Sequence, residues 1–69
     1  SRHVHIGICN GRVGLYMGPP QAGILIEEMG IFIKNLPRTE IEALARGIET
    51  GSRQELLEIL EGLSSLTPF

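Results

Sequence analysis

Residues 4–17 read Val4-His5-Ile6-Gly7-Ile8-Cys9-Asn10-Gly11-Arg12-Val13-Gly14-Leu15-Tyr16-Met17, and this stretch sets the architecture. Apolar Val4, Ile6 and Ile8 alternate with His5, Gly7 and Cys9, the period of a strand with one buried face. Asn10-Gly11 interrupts the alternation. A two-residue type I′ turn needs positive φ at both central positions, and Asn-Gly is the pair that supplies them most easily. Val13, Leu15 and Met17 then resume the alternation. Strands over residues 3–9 and 12–17 follow, with a register fixed by the turn: Cys9 opposite Arg12, Ile8 opposite Val13, Ile6 opposite Leu15, His5 opposite Tyr16 and Val4 opposite Met17. That register puts all six aliphatic residues on one face.

Gly18-Pro19-Pro20 ends the second strand, and the next segment has two readings. Ile24-Leu25-Ile26 and Ile31-Phe32-Ile33 flank Glu28-Met29-Gly30, which predicts a second hairpin with Gly30 in its turn. The rival is a short helix from Pro20 to Met29, with Ala22, Leu25, Ile26 and Met29 at i, i+3, i+4 and i+7. Gly23 and the β-branched Ile24 and Ile26 weigh against the helix.

Beyond Pro37 the period changes to that of helices. Thr39-x-x-Glu42 and Ser52-x-x-Glu55 have the form of capping boxes. Ile41, Leu44, Ala45 and Ile48 form one stripe; Leu56, Ile59, Leu60 and Leu63 form another. Helices are expected at about 39–50 and 53–65, separated by Gly51. The fold class is therefore α+β, one small domain over 1–69. An antiparallel sheet of three or four strands is covered on one face by two C-terminal helices.

Composition narrows the function. The chain has 69 residues, one cysteine and three aromatics, yet nine Ile and nine Leu. It is too apolar to be disordered and too short to bury a large core, which favours an oligomer that completes its core with a partner. Every acid is Glu, and the net charge is −2. Residues 1–37 carry three cations against two glutamates, whereas residues 38–69 carry three arginines against six. This balance argues against a sequence-independent nucleic-acid binder. A hairpin patch of Arg2, Arg12 and Lys34 remains as the alternative reading, that of a small nucleic-acid-binding regulator. No run approaches the roughly 18 apolar residues of a membrane span. With one cysteine and no leader pattern, the expected location is cytoplasmic.

Chemical constellations are scarce. His3, His5 and Cys9 share a strand face, but His3 and Cys9 stand about 20 Å apart at about 3.3 Å per residue, too far for one ion. No metal site and no cofactor is assigned. There is no Asp, and no nucleophile sits at a recognisable spacing from His5. The chain is read as a non-enzyme.

Interaction surfaces fit better. Gly7 and Gly14 face each other across the hairpin and leave a bare strip of backbone beside Tyr16, which invites close approach by a partner. Leu57 and Leu66 widen the apolar side of the last helix beyond the single stripe that packing on one sheet requires, and Phe69 follows; with Leu63 of the stripe they are the expected partner-binding residues of this segment. The surplus apolar residues lie in 24–33 and 56–69. The function expected is a small regulatory or protein-interaction module, a homo-oligomer that binds another protein.

Overall fold

The computed structural model describes residues 3–67. Strands β1 (Val4–Cys9) and β2 (Arg12–Met17) form the expected hairpin, with every register pair as read from the turn. Asn10 and Gly11 both take positive φ, 52° and 78°, as a type I′ turn requires. Ile6 and Val13 are fully buried, and Ile8 and Leu15 partly so. Met17, at the open end, is exposed rather than inward.

Strand β3 (Ile24–Phe32) settles the ambiguous segment. It is neither a helix nor a hairpin but one strand of nine residues, antiparallel to β2. Gly30 does not adopt the positive φ that a turn there would need. Two register irregularities allow the long strand to lie along the shorter one. Arg12 pairs with Phe32 and Gly14 with Glu28, so Met29, Gly30 and Ile31 bow out opposite Val13 alone. A 3-10 turn (Ile33–Asn35) follows, and Leu36 drops into the core.

Helix α1 (Arg38–Arg46) is shorter than its stripe implied. Gly47 stops it with φ 90°, and its N–H closes the last turn on the carbonyls of Ala43 and Leu44. A Cβ at this position would also stand 2.8 Å from Pro20. Ile48–Thr50 then forms strand β4 on the free edge of β1, instead of the helix end expected there. The Thr39–Glu42 box does not form. Pro37 is the N-cap, and its carbonyl accepts from the N–H groups of Glu40 and Ile41.

Helix α2 (Arg53–Ser65) starts with its cap as expected. Ser52 Oγ accepts from the Glu55 N–H at 3.1 Å, and Glu55 Oε1 accepts from the Gly51 N–H at 2.7 Å. The fold is thus α+β, a four-stranded antiparallel sheet of order β3-β2-β1-β4 with two helices. Leu44 of α1 and Leu63 of α2 meet Ile6, Val13 and Leu36 in one small core. Among the described residues no helix is long and apolar enough to cross a membrane.

Candidate partner-binding surface

Strand β3 is an outer strand of the sheet, bonded to β2 on one side and to no other strand among the described residues. Its apolar side chains are poorly covered: Ile24 is 74% exposed, and Leu25, Ile26 and Phe32 are exposed as well. Small proteins usually blunt such an edge with Lys, Pro or inward charge. This one carries Glu27 and Glu28 in the middle of the strand, and no Lys or Pro.

Alongside the edge runs a groove of about 850 Å³, with Met29, Gly30 and Ile31 on one bank and α2 on the other. The helix lines it with apolar Leu57 and Leu60 and with charged Arg53, Glu58 and Glu61. Leu57 is 53% exposed there. Spacing of three and four residues explains why these α2 side chains share a face. The sequence pointed to the two segments that form the banks. It did not reveal that Met29–Ile31 bulge towards α2, since no residue pattern marks a bulge of this kind.

The remaining expected contact residues are dispersed. Leu66 is exposed, but in a separate recess of about 310 Å³ with Glu40, Ile59, Gly62 and Leu63. Leu63 is 3% exposed and belongs to the core, so it offers no contact surface. Phe69 lies outside the described residues. Gly7 and Gly14 are buried beneath the Tyr16 ring, which a Cβ on either glycine would meet at 3.2 and 3.1 Å. Their close approach is therefore internal to the chain. Tyr16 Oη donates to the Ile8 carbonyl at 2.7 Å and holds the ring across them. Partial burial raises the Tyr16 hydroxyl above its ordinary pKa, and the neighbouring Cys9 and Glu28 push the same way.

Of the basic residues in the alternative reading, Arg12 and Lys34 flank one aromatic ring. Arg12 makes an ion pair with Glu28 at 3.1 Å and lies 4.9 Å from the centroid of the Phe32 ring. Lys34 stands 6.0 Å from the same ring, and Arg2 is outside the described residues. Glu28 also accepts from Cys9 Sγ and Asn10 Nδ2, so one carboxylate gathers the hairpin end.

His5 faces a second cleft, about 290 Å³, bounded by Tyr16, the 20–23 loop and the end of α1. Its Nδ1–H donates to the Gly18 carbonyl at 2.8 Å. Among the described residues, this cleft is lined beside the imidazole by the Tyr16 phenol, and by no Ser, Thr, Cys or Glu. Among the described residues no three His, Cys or Glu side chains converge as metal ligands would.

Comparison with known proteins places the sequence. The family model of the BofC C-terminal domain matches residues 1–65. No curated protein matches the chain, and no solved structure does.

Proposed function

The chain belongs to the BofC C-terminal domain family, and from that premise we propose that it is a non-enzymatic regulatory module that binds another protein through β3 and the adjacent face of α2. The family is one of small regulatory domains. The observation that carries the reading is a groove that sets half-buried Met29 and Ile31 of the outer strand against the exposed Leu57 of α2, with Ile24, Leu25, Ile26 and Phe32 exposed elsewhere on the same strand. Exposed apolar surface of this kind marks interaction sites. An isolated surface leucine would carry no such meaning. Self-association stands beside this reading, because the same apolar residues would serve a second copy.

The test is cross-linking in the cells that make the protein, with the partner identified by mass spectrometry. The original chain is compared with Leu57→Glu, and the mass in solution is measured at micromolar concentration. The expected result is one protein cross-linked to residues 24–32 and α2, lost in Leu57→Glu while the melting temperature holds. Cross-links unaffected by Leu57→Glu, or none to this surface, would overturn the reading.

A further inference from the structure

His5 is a buried side chain with half of its hydrogen-bonding capacity unused. The residue is 5% exposed. Its Nδ1–H donates to the Gly18 carbonyl, and because a carbonyl only accepts, that bond fixes the tautomer. Nε2 of the neutral ring therefore carries a lone pair, and it has no hydrogen-bond partner among the described residues. Every side-chain nitrogen or oxygen sealed from solvent there does have a partner. Nε2 is thus not sealed, and the cleft of about 290 Å³ that His5 lines is where it opens. Polar groups so deeply placed rarely go without a partner.

The ring is also held in place. It stacks on Tyr16, and the chain closes on its other edges. A Cβ at Gly23 would stand 2.5 Å from His5 Cε1, and one at Gly47 would stand 3.3 Å from Cδ2. An acceptor fixed in this way needs little further ordering when a ligand arrives.

The polar groups of the cleft decide what it can take. Nε2 needs a donor, whereas the Arg46 guanidinium offers only donors and is in no ion pair among the described residues. The Gln21 amide offers both. A carboxylate only accepts, so it could bond Nε2 only after a proton was added to this buried ring, at the cost of burying a charge. An ammonium ion only donates, and it would share the cleft with the like charge of Arg46. A hydroxyl donates and accepts from one oxygen and brings no charge. The volume is near the lower bound of small-molecule sites, about 300 Å³, which suits a single ring. Pro20, Ala22 and Ala45 supply apolar wall for its C–H groups.

We propose that this cleft is a separate binding site for a pyranose sugar, an uncharged ring that carries several hydroxyls. One hydroxyl donates to His5 Nε2, and others accept from Arg46 and Gln21. The site shares no residue with the groove between β3 and α2 and does not depend on it.

The experiment titrates the full chain with glucose, galactose and mannose in turn, then with propionate, ethylammonium and N-methylacetamide at the same pH and ionic strength. The readouts are the nitrogen resonance of His5 Nε2 and the backbone amides. At least one sugar should bind saturably in the millimolar range and shift Nε2 with the amides of residues 21–23 and 45–47. The other three compounds should not. Ala45 is exposed, so Ala45→Met should narrow the cleft and weaken sugar binding by about tenfold while the melting temperature holds. His5→Asn keeps a donor near the place of Nδ1 but removes Nε2, and it should abolish binding. The inference is overturned if no sugar gives a saturable shift, or if the shifts map elsewhere. It is equally overturned if propionate, ethylammonium or N-methylacetamide binds there as tightly, or if Ala45→Met binds sugar unchanged.

Discussion

His5 and Tyr16 stack face to face, with ring centroids 4.8 Å apart and planes within 3° of parallel. They are register partners on the face of the hairpin away from the core. The stack, the Tyr16–Ile8 hydrogen bond and the paired Gly7 and Gly14 form one assembly: small residues below, a flat ring across them, and an imidazole beside it. Replacing Tyr16→Phe removes only the hydrogen bond and should cost about 1 kcal/mol in urea unfolding. Tyr16→Ala also uncovers both glycines and should cost a further ~2 kcal/mol. Equal losses for the two variants would mean that the ring does not pack as described.

The same tyrosine predicts an alkaline limit. Burial and the neighbouring Cys9 and Glu28 hold its hydroxyl above the ordinary 10.0 in the folded chain. The neutral form is thus favoured by folding. Its contribution is complete below pH 10.0, the unfolded value, and is lost as pH rises through the higher folded value. Since Tyr16 is the one tyrosine in the chain, tyrosinate absorbance reports it directly. The midpoint should fall on unfolding, and Tyr16→Phe should flatten this part of the stability profile.

Gly47 combines two demands that a side chain fails. At φ 90°, an alanine is strained, and its Cβ would press on the Pro20 ring at 2.8 Å. Gly47→Ala should destabilise by more than 1 kcal/mol. The variant also removes the break between α1 and β4. Helical signal should therefore extend towards Thr50, with loss of the Ile6–Ile48 pairing detectable by amide exchange.

How far the sequence reached follows from these particulars. The hairpin was legible because turn chemistry and alternation select the same register, so each checks the other. At Ile48 the local pattern misleads: it completes a helical stripe from Ile41 through Leu44, yet it pairs with Ile6 forty-two positions earlier in the chain. An edge strand of three residues has too little pattern to outweigh such a stripe, and Gly51 offers the sequence a second helix stop beside Gly47. The Gly7–Gly14 pairing follows from the turn register, but its covering does not, since nothing local says which way the Tyr16 ring lies. The groove was half visible. Its two banks stand out in the sequence as apolar surplus, but their meeting depends on the β3 bulge, a feature of three residues facing one.

Leu57 and Leu63 provide the sharpest separation of surface from core, because both are leucines of one helix. Leu63 is 3% exposed among Ile6, Val13, Leu36 and Leu44, so Leu63→Ala leaves a cavity in a core with few residues to close it. It should cost about 2–5 kcal/mol and could unfold the chain at ordinary temperature. Leu57 is 53% exposed and lines only the groove. Leu57→Ala should stay within about 0.5 kcal/mol of the original stability. Denaturant unfolding of the two variants side by side makes the comparison. If Leu57→Ala proved as costly as Leu63→Ala, Leu57 would be packed inside the chain, and the groove would not be open to a partner.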